Sequence, residues 1–267
     1  MKASELRKRF LDYFAERDHR VMRCDPLVPP AEDKSLLFTG AGMNKFKNEF
    51  MGRGEPGLKR AATSQKCLRT GDMDKVGRTA YHHTFFEMLG NFSFGDYFKK
   101  DAIIWAWDFL TNVLEIPAEK LCVSVYEEDD DACAIWENEI GLDPKLIYRF
   151  GQHDNFWPAD CPTEGPNGLC GPCSEIFYDR GPEIGCGRPD CDPSCDCDRF
   201  CEVWNLVFQQ FERKDGGVLD PLPQKNIDTG LGLERLAAVM QGKLSNFDTD
   251  LFTPIISALE READRSY

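Results

Sequence analysis

Near the C-terminal end the chain reads Asp228-Thr229-Gly230-Leu231-Gly232-Leu233-Glu234-Arg235, between an extended segment and a helix that opens at Gly232. Glycine lets a ligand approach the backbone closely. A helix N-terminus offers unpaired N–H groups to an anion, and Arg235, one turn in, is placed to grip a terminal phosphate. A tight strand-to-helix turn accounts for the same two glycines. A second candidate is a hairpin. Arg69 ends its first strand, and Phe85 and Phe86 lie on its second. An arginine beside an aromatic ring suits a nucleotide, the ring for the base and the guanidinium for a phosphate. Neighbouring strand residues face opposite ways, so one of the two phenylalanines is expected in the core. His82 and His83 point apart for the same reason. They are expected to be satisfied polar or phosphate-facing groups rather than a metal pair.

The chain carries 12 cysteines, eight of them between Cys161 and Cys201. Cys186, Cys191, Cys195 and Cys197 follow a C-x4-C-x3-C-x-C spacing inside a loop at about 181–200. Four thiolates in a loop with no other core can hold a structural Zn²⁺ tetrahedrally. Cys170, Cys173 or Cys201 can replace one of them, and reduced thiols in a surface loop are the alternative to a metal. The N-terminus, MKASELRKRF, has no apolar h-region. A disulfide framework is therefore disfavoured and a cytoplasmic location expected.

These residues need a scaffold. Residues 4–18 are expected as a helix with Leu6, Phe10, Leu11 and Phe14 on one face and Ser4 as its cap. Residues 24–32 are read as loop and 36–39 as a short strand ending at Gly40. Residues 60–69 and 79–90 form a hairpin around a polar turn at 70–78. A helix is expected at 100–114 and a strand at 121–127. The acidic run Glu127–Asp131 opens the next helix, where negative charge suits the N-terminus. Residues 151–172 are read as loop, 173–179 and 201–213 as strands, and 215–217 as a turn. Hairpins mixed with helices give an α+β fold, an antiparallel β-sheet flanked by helices. The 267 residues, 42% of them hydrophobic, suffice for a full core. No apolar run is long enough to span a membrane. The formal net charge of −14 argues against a non-specific nucleic-acid coat protein. Between Asn44 and Lys100, however, eleven Lys/Arg outnumber six Asp/Glu, which suggests one anion-facing surface.

Taken together, LLFTGAGMNKFK (36–47), ATSQKCLR (62–69), YHHTFFEMLGNFSFGDYFK (81–99), CGPCSEI (170–176), EVWNLVF (202–208) and DTGLGLERLAAV (228–239) resemble the catalytic domain of the alanyl-tRNA synthetases, a family of class II aminoacyl-tRNA synthetases. The resemblance implies a catalytic domain over 1–258 with the Cys-rich loop as an insertion. It also implies that 259–267 begins a helical tRNA-recognition region. It implies an alanine–tRNA ligase using ATP and Mg²⁺, with L-alanine and the acceptor stem of tRNA(Ala) as partners. The family's editing domain and C-terminal part are expected outside these residues, and the piece is expected to be monomeric.

By the same resemblance, Arg69 holds the α-phosphate and the amino-acid carboxylate, Arg235 the γ-phosphate, and Phe86 stacks on adenine. Glu202 is the Mg²⁺ ligand, with a buried hydrogen-bonding role as its alternative. Asp228 pairs with the substrate ammonium. Met43, Trp157, Asn205, Val207 and Gly230 wall the methyl pocket, with plain core as the alternative for Trp157 and Val207. The pattern departs from the family in two further places. The turn after Arg69 is short. Position 81 is Tyr and position 78 Arg, where many bacterial members carry Arg and often Tyr. Two other readings stand beside the enzyme: a catalytically silent binding module, and a Cys-loop metal or RNA-binding protein, against which the net charge argues.

Overall fold

The structure, a computed structural model, describes residues 1–30, 36–195 and 197–267. In chain order its strands are β1 (Arg20–Met22), β2 (Arg60–Leu68), β3 (Phe85–Phe94), β4 (Leu121–Tyr126), β5 (Ile147–Phe150), β6 (Phe156–Trp157), β7 (Gly168–Asp179), β8 (Phe200–Arg213) and β9 (Leu219–Gly232). The helices are α1 (Ala3–Ala15), α2 (Lys47–Phe50), α3 (Lys99–Asp108), α4 (Asp130–Asn138), α5 (Gln152–Asn155), α6 (Leu233–Met240) and α7 (Thr253–Ala263). The sheet runs β1-β2-β3-β9-β8-β7-β4-β5, with β6 pairing on β7. Its centre is antiparallel, as expected. Among the described residues the parallel strand pairs are the marginal ones, β1 with β2 and β4 with β5.

Side-chain alternation gives the sheet two working faces. On one face, Leu6, Phe10 and Phe14 of α1 pack with Ile103 of α3, Trp136 of α4 and Leu236 of α6 over Leu89, Trp204, Leu206 and Leu231. On the other, Met43, Phe46, Phe50, Leu58, Phe92 and Phe94 form a smaller cluster under one end of the sheet. The rest of that second face is left open, and there the cleft lies.

Several local expectations change. Ser4 is exposed and does not cap α1; Ala3 N–H instead donates to the Asp250 carboxylate at 3.2–3.3 Å. A residue nearly the whole chain away does a job assigned to a neighbour. Residues 36–39 are not a strand; Thr39 makes isolated bonds to Leu27 and Leu68 backbone but no ladder. Of the loop read at 24–32, residues 31 and 32 lie outside the described residues.

Residues 79–84 are irregular too. Asn246 ties them down, its N–H donating to Ala80 O at 2.9 Å and its side chain meeting His83 Nε2 at 2.9 Å. α3 stops at Asp108 and continues as a π-turn over Phe109–Val113. The segment 151–172 is not all loop: it holds α5, β6 and the start of β7, which passes through Pro172 by slipping register between Cys170 and Cys173. The boundary expected at 258/259 falls inside α7. Among the described residues no helix is long and apolar enough to cross a membrane.

Candidate active site

A cleft of about 290 Å³ opens over β3, β9, β8 and β7. Arg69, Phe86, Trp157, Glu202, Asn205, Val207, Asp228, Gly230 and Arg235 all line it, so nine of the ten residues matched to ATP and alanine meet in one place. The exception is Met43, which is buried in the cluster beneath, with Trp157 packed against that cluster. Ala41, two residues earlier, reaches the cleft instead.

Strict alternation along β8 would put Glu202 on the face opposite Asn205 and Val207. The register of β7 against β8 shifts between Ile176, opposite Trp204, and Phe177, opposite Glu202. This leaves Val203 as an extra residue, and Val203 and Trp204 both join the helix-side core. That β-bulge turns Glu202 onto the cleft face beside Asn205 and Val207, a re-aiming that bulges commonly provide.

Glu202 there meets Arg235, the two side chains pairing at 2.6 Å. The Arg235 guanidinium also lies 4.9 Å from the ring centroid of Tyr81, a cation–π contact. Tyr81 therefore backs Arg235. At the other end Arg69 donates through Nε to Gly40 O at 3.0 Å and lies 5.2 Å from the Phe86 centroid. The basic group and the ring are thus held together. Neither phenylalanine is core: Phe86 lines the cleft, and Phe85 is 48% exposed because no element covers that end of the other face.

Glu175 was not singled out from sequence, although it lies within CGPCSEI. It is half-buried and accepts from Asn205 Nδ2 at 2.9 Å. Burial first, and then the neighbouring Glu202 charge, hold its carboxyl well above the ordinary range. Met88, Asp72, His82, His83, Glu234 and Asn246 also line the cleft. Their signal was weak because several sit in the irregular 70–84 segment. His83 is buried, stacked on Phe252, and burial lowers its pKa to about 4, so it is neutral near pH 7. His82 meets Thr79 Oγ1 at 2.9 Å through Nδ1. Both fit the satisfied-polar expectation.

Asp228 lies on the floor of the cleft. Burial raises its pKa to about 7, with only the Gln209 amide drawing it back. No cationic side chain offsets it among the described residues. Asn205 Oδ1 beside it is buried and takes no hydrogen bond there. Two acceptors facing one small space fit a donor with several N–H groups. Gly230 keeps that space open: a Cβ would stand 3.0 Å from Met88 Sδ. Neither Gly230 nor Gly232 has a positive φ, so Gly230 serves by its small size and not by backbone freedom, while a Cβ at Gly232 would meet Arg235 only at an ordinary 3.6 Å. Away from the cleft floor, the thiols of Cys186, Cys191 and Cys197 converge, while Cys195 is bonded to Arg188 at 2.7 Å.

The antiparallel sheet, its helical backing and this cleft define a class II aminoacyl-tRNA synthetase catalytic fold. The aspartyl-tRNA synthetase of Entamoeba histolytica shares the fold, with a TM-score of 0.54 over 94% of this chain and 56% of that one at 10% identity. The chain belongs to the family of tRNA synthetases class II (A), whose model matches residues 5–267. More particularly, it is similar to the alanine–tRNA ligase of Halorhodospira halophila, 58% identical over 262 residues, and to that of Desulfosudis oleivorans, 55% identical over 271. These alignments cover 97% and 100% of this chain but 30% of each relative. The chain spans about a third of the length of the curated relatives it matches.

Proposed function

We propose that this chain activates L-alanine with ATP, giving alanyl-adenylate and pyrophosphate, and passes the alanyl group to the 3′ end of tRNA(Ala). One observation carries the reading: an uncompensated buried carboxylate, Asp228, shares a small cleft with two arginines, Arg69 and Arg235. A group that seeks a cation and groups that seek anions are what an amino acid and a triphosphate require.

Asp228 and Asn205 Oδ1 accept from the alanine ammonium. Val207, Trp157 and Gly230 bound the methyl group, with Ala41 and Met88 beside them. Arg69 draws the alanine carboxylate and the α-phosphate together, offsetting the repulsion of two anions. A carboxylate oxygen attacks the α-phosphorus, the bond to the β-phosphate oxygen breaks, and pyrophosphate leaves. The terminal ribose hydroxyl of tRNA then attacks the alanyl carbonyl and AMP leaves. Catalysis of this kind is chiefly positioning and charge neutralisation. Phe86 offers its ring to adenine and Arg235 its guanidinium to the γ-phosphate.

Glu202 and Glu175 are the residues that would hold Mg²⁺. Two carboxylates facing one cleft, with the Glu202 charge adding to the cost of ionising Glu175, are a donor set a hard divalent cation satisfies. When bound, the ion supplies neutralisation of phosphate charge. The reading also includes a cytoplasmic location, a monomeric piece, the acceptor stem as RNA partner, a catalytic unit over 1–258 and a recognition region starting at 259–267.

Alanine-dependent ATP–pyrophosphate exchange tests the function, wild type beside Asp228→Asn and Arg69→Ala. Activity in the wild type, lost in both variants, is expected. A folded, Mg²⁺-supplied wild type without activity would sink the proposal in favour of a silent binding module.

A further inference from the structure

The loop between β7 and β8 has few ordinary means of keeping a shape. Among its described residues, 181–195 and 197–199, only Gly181 is buried, and none lies in a helix or strand. Its ends are fastened. Arg199 donates through Nε and Nη2 to the two Asp179 oxygens, each at 2.8 Å, and Arg180 N–H donates to Arg199 O at 2.9 Å. Between those ends three thiols converge. The Sγ atoms of Cys186, Cys191 and Cys197 all lie within 4.8 Å of one another.

The Cys191–Cys197 separation is 3.8 Å. A tetrahedral zinc with Zn–S bonds of about 2.3 Å has sulfur–sulfur edges of about 3.8 Å. The pair already stands at the spacing of two zinc ligands, far from the ~2.05 Å of a disulfide. A cation stands at the same place. The Arg188 guanidinium donates to Cys195 Sγ at 2.7 Å and also engages the Cys186 thiol, which keeps Cys195 at the margin of the cluster.

We infer that Cys186, Cys191 and Cys197, with Cys195 as fourth ligand, form a structural Zn²⁺ site that fixes this loop. Each thiol gives its proton to solvent on binding, and no redox step is involved. Four thiolates around one Zn²⁺ leave a net charge of −2, which Arg188 and Arg199 beside them partly offset. The site matters for the neighbouring chemistry. Pro193, Ser194, Cys195, Cys197 and Asp198 wall a second cavity of about 330 Å³ that shares Tyr81, His82, Glu175, Glu202 and Arg235 with the active cleft. A metal here braces one wall beside the residues assigned to the γ-phosphate and Mg²⁺. That consequence rests on the function proposed above; the metal site itself does not.

The test is metal content. The chain is expressed with zinc in the medium, washed over a chelating resin, and its zinc counted against protein by mass spectrometry. About one equivalent is expected in the wild type and in the remote control Cys24→Ser, and less than about a tenth in the Cys186→Ser/Cys197→Ser double variant. Cobalt in place of zinc should give the thiolate-to-metal charge-transfer band and intense visible bands of a tetrahedral site, absent from the double variant. Cys195→Ser should bind zinc at least about tenfold more weakly; unchanged affinity would remove Cys195 from the ligand set. Less than about a tenth of an equivalent in the wild type with no cobalt spectrum, or a Cys191–Cys197 disulfide in its place, would overturn the inference. These readouts count metal, not turnover, so failure of alanine activation would leave them standing.

Discussion

Arg235 rests on Glu202: its Nη1 donates to the carboxylate at 2.6 Å and to the backbone carbonyl of the same residue at 3.0 Å. The two groups assigned to phosphate and to Mg²⁺ are therefore each other's counterion. A triphosphate has to draw Arg235 away, and in doing so it releases Glu202 for the cation. Binding of nucleotide and of metal should be coupled through this pair. Arg235→Ala is expected to raise the KM for ATP at least about tenfold and to lower exchange about 10²- to 10³-fold, the usual loss of one donor to a developing charge. Glu202→Gln should lower exchange comparably but leave a shifted Mg²⁺ requirement as its signature. Exchange rates across a Mg²⁺ titration separate the two. An Arg235 variant with unchanged ATP dependence would dismiss its phosphate role.

Asp228 ties function to pH. Burial moves its folded pKa from the ordinary carboxylate range to about 7, and the contact proposed for the substrate ammonium needs the charged form. As pH falls below 7, the KM for alanine should climb, approaching tenfold per unit, while the KM for ATP follows a different curve. Stability runs the other way. The folded chain keeps a proton here that the unfolded chain releases between about pH 4 and 7, so folding is penalised progressively as pH rises through that window. The penalty is at most about 4 kcal/mol above pH 7 and vanishes below about pH 4. Asp228→Asn should melt several degrees higher than wild type at pH 8, lose that advantage near pH 4, and be inactive at both. Equal melting temperatures at pH 8 would mean that Asp228 has a counterion in solution.

How far these features could be read in advance differs from residue to residue. The strands β2, β4 and β8 were legible as elements, and in α1 the helical spacing of Leu6, Phe10 and Phe14 agrees with their burial; β4 is buried on both faces and β8 carries the bulge, so alternation did not decide which way their side chains face. The cap of α1 was illegible because its acceptor, Asp250, lies on the far side of the sequence. The 79–84 segment looked like strand because Tyr81, His82 and His83 suit one, yet Asn246 decides its path. The site was legible as motifs, but not as geometry. Glu202 and Asn205 share a face only through the bulge at Val203 and Trp204, and a bulge leaves no mark on a run of apolar residues. Glu175 went unread because a single acid in an apolar strand gives no hint of its partner until Asn205 is seen across the ladder.

Gly230 bounds the space proposed for the substrate methyl group. A Cβ at this position would press on Met88 Sδ at 3.0 Å and on Met88 Cε at 3.4 Å. Methionine is flexible enough to yield, so Gly230→Ala should fold but shrink the space for a methyl group. The KM for alanine is expected to rise at least about tenfold while glycine activation changes less, since one methyl group is worth about 1–3 kcal/mol in such a pocket. Trimming the neighbour, in Gly230→Ala/Met88→Ala, should recover part of the alanine activity, a coupling expected only for side chains in contact. The same weak discrimination predicts that the wild type activates glycine and serine at reduced rates. Pyrophosphate exchange with each amino acid reads all of these outcomes, and undetectable serine activation at high concentration would count against an open methyl pocket.

The turn between β2 and β3 carries the remaining prediction. Lys75 and Arg78 are exposed there, joined by the Arg78 N–H to Lys75 O bond at 3.0 Å. Asp72 and His82 bring the base of the turn to the cleft, so its two exposed cations lie near the cleft to which the proposed function brings an acceptor end. Exposed cations that meet a phosphate backbone act through counterion release, and their contribution falls with salt. Lys75→Ala/Arg78→Ala should weaken binding of an acceptor-stem minihelix about tenfold at low salt and flatten the slope of log affinity against log salt by about one to two. Alanine-dependent exchange, which needs no RNA, should change by less than about threefold, because neither side chain lines the cleft and solvent screens both. Equal losses in the two assays would instead assign the turn to ATP, and an unaltered salt slope would remove these two residues from the RNA path.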